Sequence, residues 1–373
     1  MTAPRVEIDL GKITKNAQVL VSRLGARGIS VTGVTKAVCG HPDVAMAMLG
    51  GGIAELADAR INNVIRMRTA GIRCPISMIR APMLHDMDDV IRCCDASYNS
   101  DMDTILKLGS AARQQGAEHN IILMVEMGDL RDGIMPKDIK GFASQVVATP
   151  GVALKGIAAN FACMGNVAPT ASDMSILSRL ADHVEGECGP FMAVVSGGGS
   201  ANLAWALGEG TTGRINNLRL GEAILLGLDP VSGQPIDGLH TDAFALFAEV
   251  IETRLKPESM LTRRSAPEYG TRELYSKSDQ RNRSILALGQ QDVDVSGLAF
   301  SAGVKFIGAT SDHIVIDTTK SPVSVGSEIK MGLNYSALLR AMAARDVAKV
   351  VYHRQPADGM VTTARPEPLV RLV

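Results

Sequence analysis

A strand–helix rhythm repeated through the first 230 residues constrains this chain more than any other feature. Eight β-prone runs stand at residues 29–34, 53–57, 76–79, 96–98, 121–125, 154–158, 191–195 and 217–220. Most are separated by enough chain for one crossover helix, such as the stretch at 42–49 or the one through Ile61, Val64 and Ile65. Alternating β and α implies parallel strands, and eight of them imply a closed barrel. A doubly wound open sheet is the alternative, because strand counts from sequence are uncertain by one or two.

The rhythm stops near Leu228. Asp229-Pro230, Ser232-Gly233 and Asp237-Gly238 make a turn-rich connector. Beyond it lie short β-prone runs at 248–252, 284–288, 305–307, 313–317 and 328–331, then a helical stretch at 335–344. Short strands between turns imply a small β domain. From 355 onward Pro356, Pro366 and Pro368 suggest a loosely ordered tail. The expected organisation is a barrel at 11–237, a β domain formed by 1–10 with 238–354, and a tail at 355–373.

Composition removes several partners. Thirty-eight Lys and Arg balance 39 Asp and Glu, giving a net charge of −1, so neither a nucleic acid nor an acidic membrane surface is expected. Aromatic residues are only 3%, too few for base-stacking platforms. The six cysteines (39, 74, 93, 94, 163 and 188) show no CxxC spacing and no paired histidines, so neither a disulfide framework nor a metal site is expected. No run is apolar enough to span a bilayer and no secretory signal opens the chain, so a cytoplasmic location is expected.

Barrel chemistry sits at the C-terminal ends of the strands, and the loops after strands seven and eight commonly hold phosphate. Here the seventh strand runs into Ser196-Gly197-Gly198-Gly199-Ser200 and the eighth into Gly221-Glu222. Glycines let backbone N–H groups approach an anion, and a following helix adds its dipole. Such turns also serve simply to join strands to helices; two adjacent ones at the expected position favour a phosphate site. Lys36 follows the first strand directly, in Val34-Thr35-Lys36-Ala37. A lysine there is commonly just a solvated charge, but a half-buried one loses proton affinity and can form a Schiff base. Lysine and phosphate cradle together suggest a phosphorylated aldehyde, pyridoxal phosphate.

Several segments in order resemble the alanine-racemase-like pyridoxal-phosphate enzymes, most closely the ornithine racemase family. They are Glu7-Ile8-Asp9-Leu10, Val31-Thr32-Gly33-Val34-Thr35-Lys36, Glu55-Leu56-Ala57-Asp58-Ala59-Arg60, Glu126-Met127-Gly128-Asp129-Leu130-Arg131, Ala287-Leu288-Gly289-Gln290-Gln291-Asp292 and Ser311-Asp312-His313. The resemblance implies an α/β fold, a (β/α)8 TIM-type barrel followed by a mainly-β domain, working as a homodimer with the active site at the interface. It implies racemisation of an amino acid, ornithine or another basic one, by proton transfer on both faces of Cα. Lys36 would hold pyridoxal phosphate and serve one face. Arg219 would face the pyridine nitrogen. Ser196, Ser200, Gly221 and Glu222, the last two through backbone N–H, would serve the cofactor, as would Tyr335. Arg131 would lie near the substrate carboxylate or cofactor, although an ion pair with Asp129 or Asp132 explains it equally well. Cys163 would line the substrate pocket, or simply pack.

The chain departs from that pattern in places. Gly199 stands where related segments usually carry Asn, and Cys39-Gly40-His41 replaces a tyrosine-bearing stretch. Residues 263–283 match poorly, leaving Tyr269, Tyr275 and His313 as choices for the opposite-face group, with Tyr275 and His313 preferred. A decarboxylase of the same fold and a non-catalytic cofactor carrier are the competing readings. The extra β domain counts against the carrier.

Overall fold

A computed structural model of the chain describes residues 3–165, 167–257 and 280–353. It divides into two compact units, Asp9–Ala243 and Met1–Ile8 with Phe244–Val373.

The first unit is a closed barrel of eight parallel strands in sequential order. After β1 (Arg5–Asp9), these are β2 (Ser30–Val34), β3 (Glu55–Asp58), β4 (Ile76–Met78), β5 (Ala96–Asn99), β6 (His119–Val125), β7 (Val152–Ala159), β8 (Val194–Ser196) and β9 (Asn217–Leu220). Closure comes from β2 against β9, with Ser30 opposite Asn217 and Gly33 opposite Leu220. The strands β4, β5 and β9 are buried along their whole length, polar Ser97, Asn99, Asn217 and Arg219 included. The eighth strand of the chain, β8, is shorter than its β-prone run suggests. Phe191 is 68% exposed and its carbonyl accepts the Ala193 N–H at 3.0 Å, so this turn delays the strand to Val194.

The helix Leu10–Gly25 enters the unit with Asp9 as its N-cap, the Asp9 side chain accepting the Lys12 N–H at 3.2 Å. Its buried Asn16 donates to the Ile224 and His240 carbonyls at 3.0 and 2.8 Å. These bonds tie His240, just past the turn-rich connector, to the barrel's first helix.

The second unit is an antiparallel sheet. Its strands are β10 (Phe244–Pro257), β11 (Gln280–Leu286), β12 (Leu298–Phe300), β13 (Lys305–Ala309), β14 (Ile314–Asp317), β15 (Glu328–Leu333) and β16 (Ala348–Tyr352). The order is β12-β15-β10-β11-β14-β13, and β1 pairs with both β10 and β16. A bulge between Val250 and Glu252 lets the long β10 bend. One helix, Tyr335–Ala343, is capped by Asn334.

Candidate active site

The loops that follow the barrel strands gather the polar side chains of the site. Lys36 begins a one-turn 3-10 helix, Lys36–Val38, after β2. The residue before it is clamped from β3: Asp58 accepts from Thr35 Oγ1 at 2.7 Å, Asn63 Nδ2 at 2.9 Å and the Arg60 N–H at 3.0 Å. Asp58 is wholly buried, and burial raises its pKa against these hydrogen bonds. Lys36 itself meets water across the open mouth, with protein crowding its other sides. That desolvation lowers its pKa, and the charges of Arg131 and Arg219 lower it further, while Cys163 and Asp58 oppose them.

Arg219, on β9, is 7% exposed. It donates to Ser196 Oγ at 2.7 Å, the Ala159 carbonyl at 2.8 Å and Asn160 Oδ1 at 2.8 Å. Its guanidinium lies 5.1 Å from the Tyr98 ring centroid. Burial lowers the arginine's pKa and pushes the Tyr98 phenol up to about 12, so that phenol keeps its proton. Ser196 is fully buried and donates its own hydroxyl proton to Asn217 Oδ1 at 2.7 Å, while Asn217 donates to Thr32 at 2.9 Å. The Ser196 hydroxyl is thus committed to holding Arg219, and any influence on a ligand runs through that arginine.

The loop after β6 supplies Arg131. Its Nε donates to Asp132 at 2.7 Å and lies 3.9 Å from Asp129 Oδ2. This is the rim ion pair that the sequence allows, and it does not consume the whole guanidinium fork. Asp129 Oδ1 accepts the backbone N–H groups of Cys163 and Met164 at 2.8 and 3.1 Å, tying the β6 and β7 loops together. Cys163 is exposed and lies within electrostatic reach of Lys36 and Arg131; burial of its surroundings raises its pKa, which Arg131 opposes. Cys39, Leu130 and Ala162 are the non-glycine residues with positive φ among the described residues, at 53°, 50° and 61°. All three stand on mouth loops, within three residues of Lys36, Arg131 and Cys163. Backbone strain of this kind persists where the surrounding structure holds a functional geometry.

The two glycine-bearing loops meet. Ser200 Oγ accepts the Ala223 N–H at 3.2 Å, joining the loop after β8 to the loop after β9. Gly198 has φ +99°, and a Cβ there would lie 2.9 Å from the Phe161 ring. A Cβ on Gly221 would sit 3.3 Å from Val34 at the end of β2. The helices that follow are only Ser200–Asn202, Leu203–Ala206 and Glu222–Leu226. Their dipoles are correspondingly small, and the N–H groups of the loops themselves carry the attraction for an anion.

Pyridoxal phosphate fits these residues. A lysine of lowered pKa suits its aldehyde, a glycine cradle suits its phosphate, and a buried arginine hydrogen-bonded to hydroxyl and amide oxygens rather than to a carboxylate suits its ring nitrogen. Asp58, Asn160 and Tyr98 complete the arrangement and fall outside the candidates that sequence supplies. Asn160 has a visible signal, since it opens Asn160-Phe161-Ala162-Cys163. His313 lies in the β13–β14 turn of the second unit, where its N–H donates to Thr310 Oγ1 at 3.1 Å. Tyr335 starts the helix of that unit. Tyr269 and Tyr275 lie outside the described residues. Among the described residues no group of three or more His, Cys, Asp or Glu gathers as a metal site.

Comparison with known proteins gives a consistent picture. The profile of the family described as "Alanine racemase, N-terminal domain" matches residues 8–230. A lysine racemase of Thermotoga maritima is 36% identical over 94% of this chain and 99% of its own length. An ornithine racemase of Acetoanaerobium sticklandii is 31% identical over 93% and 99%. Among solved structures, alanine racemase from Streptomyces lavendulae shares the fold, with a TM-score of 0.74 over 95% of this chain and 99% of that one at 20% identity.

Proposed function

The chain belongs to the alanine racemase family, pyridoxal-phosphate-dependent racemases of amino acids, and we propose that its own substrates are basic amino acids, ornithine or lysine. The observation that carries the assignment is the convergence at one barrel mouth of a lysine of lowered pKa, a buried arginine and two linked glycine loops.

Pyridoxal phosphate, when bound, delocalises the charge left at Cα after its proton is removed. The protein's part is to bind, orient and move protons. In our reading Lys36 Nζ would hold the cofactor aldehyde and, once the substrate's amino group has taken its place, the freed amine would move the proton on one face of Cα. Ser200 and the N–H groups of Gly221 and Glu222 would hold the phosphate, with Tyr335 as a further contributor. Arg219, fixed by Ser196 and Asn160, presents a permanent cation to the ring nitrogen. That charge disfavours protonation of the nitrogen and restrains side reactions such as transamination. Arg131 takes the substrate carboxylate with the part of its fork not used by Asp132, and Cys163 lines the pocket. His313 or Tyr275 serves the opposite face of Cα.

We assign the working form to a homodimer in the cytoplasm. No helix among the described residues is long and apolar enough to cross a membrane. The deciding experiment incubates the cofactor-loaded protein in heavy water with each enantiomer of ornithine, lysine, arginine, alanine and serine, followed by chiral chromatography. Interconversion with deuterium at Cα supports the reading. Carbon dioxide release would point to the decarboxylase instead, and neither exchange nor carbon dioxide release with any amino acid would sink both.

A further inference from the structure

Glu222 is an acid at the barrel mouth that the reaction described so far does not use through its side chain. It opens the short helix after β9, and the preceding Gly221 packs against Val34, two residues before Lys36. This approach brings the start of that helix to the end of β2, and the Lys36 charge acts on the Glu222 carboxyl.

The neighbouring acids already accept hydrogen bonds, although Asp129 Oδ2 is buried without one among the described residues and lies 3.9 Å from Arg131 Nε. Asp58 takes three donors, from Thr35, Asn63 and Arg60. Asp132 is shared between Arg131 and Asn160. Asp129 holds the Cys163 loop, and Glu126 accepts the Gly128 and Leu130 N–H groups at 2.7 and 3.0 Å. The Glu222 carboxyl, half-buried, has no hydrogen bond or ion pair among the described residues. The Glu222 oxygens still reach solvent, so a cation that arrives there meets a carboxyl with no protein donor to displace.

We propose that Glu222 is the specificity-determining residue that accepts the side-chain ammonium of a diamino-acid substrate. The proposal rests on the racemase reading above and deepens it by naming the group that reads the substrate's distal end. A substrate placed with its Cα beside Lys36 has a side chain three or four carbons long to reach a neighbouring loop, and the Glu222 carboxyl accepts no hydrogen bond there. Burial, with Asp229 adding to it, pushes the Glu222 carboxyl up to about 7, and the Lys36 charge opposes this. A second ammonium held nearby favours the ionised form that binds it.

The test compares ornithine with norleucine, which has a methyl group in place of the distal ammonium. For the cofactor-loaded protein and its Glu222→Gln variant, the ratio of kcat/KM for ornithine to that for norleucine is measured. The variant should lower that ratio about 30-fold, chiefly through a higher KM for ornithine, because the buried polar site no longer matches the cation. Glu222→Asp should recover part of it. An unchanged ratio overturns the proposal, and so does loss of cofactor absorbance in Glu222→Gln, which would put the carboxyl on the phosphate side. If the wild-type protein racemises neither compound nor any other amino acid, the racemase reading itself fails.

Discussion

Asn160 Oδ1 accepts a hydrogen bond from Arg219 at 2.8 Å, and the same side chain's amide donates to Asp132 at 3.1 Å. Asp132 in turn holds Arg131. One amide therefore links the buried arginine to the carboxylate that holds the rim arginine. Asn160→Ala should cost about 1–3 kcal/mol, because it strips a partner from a buried charge. Arg219→Ala should cost more, since Ser196, the Ala159 carbonyl and Asn160 all lose their donor. Urea unfolding of the two variants and the wild type checks the order, and a milder Arg219→Ala would show that the network adds nothing to stability.

Lys36→Ala should remove the visible absorbance that the protein gains with pyridoxal phosphate and cut racemisation by ~10³-fold or more. Borohydride reduction followed by peptide mass mapping should mark Lys36 in the wild type. A label on another lysine would reassign the cofactor.

The lowered pKa of Lys36 comes from desolvation first, then from Arg131 and Arg219. The neutral amine is the reactive form, so the lysine should react with pyridoxal phosphate at lower pH than an ordinary surface lysine. Arg131→Gln removes a nearby positive charge, so the pKa should rise and the rate-against-pH curve should move to higher pH. A shift toward lower pH, or none, would mean that Arg131 does not sense the lysine. Stopped-flow absorbance across a pH series reads this directly.

Gly198 and Gly199 should respond differently to a side chain. Gly198 combines φ +99° with a 2.9 Å clash against Phe161, so Gly198→Ala should cost about 1–3 kcal/mol and weaken cofactor binding. Gly199 has an extended backbone, and its added Cβ meets only the Arg219 carbonyl at 3.2 Å. Gly199→Asn should fold and hold the cofactor at least as tightly as the wild type. Equilibrium dialysis with pyridoxal phosphate separates the two cases.

Glu222 must be ionised to attract an ammonium, and its carboxyl titrates at about 7 between Asp229 and Lys36. As pH falls through that value the carboxyl takes up a proton and the attraction is lost. The ornithine-to-norleucine ratio of kcat/KM should therefore decline below pH ~7, while effects of Lys36 titration cancel between the two substrates. A ratio flat from pH ~6 to ~9 would separate Glu222 from substrate choice.

Much of the architecture is legible in the residues themselves. The barrel can be read because β/α alternation is a local signal written in runs of Val, Ile, Leu and Ala. Lys36 can be found because strand ends become barrel mouths. The limit of the seventh β-prone run cannot, since Phe191 has the composition of a strand and only its exposure keeps it outside one. Asp58, Tyr98 and Asn160 look ordinary in sequence for a different reason. They stand on β3, β5 and just after β7; the pairing of β2 with β3 brings Asp58 to Thr35, and barrel closure brings Tyr98 and Asn160 to Arg219.

The periodic elements, the lysine after the first barrel strand and the glycines of the last two loops are therefore written in the chain itself, because each is a property of neighbouring residues. Which charges are already spent is settled only by folding. Whether an acid is free depends on which donors folding brings to it: Asp58 is satisfied, Asp132 is divided between two partners, and Glu222 accepts no hydrogen bond among the described residues.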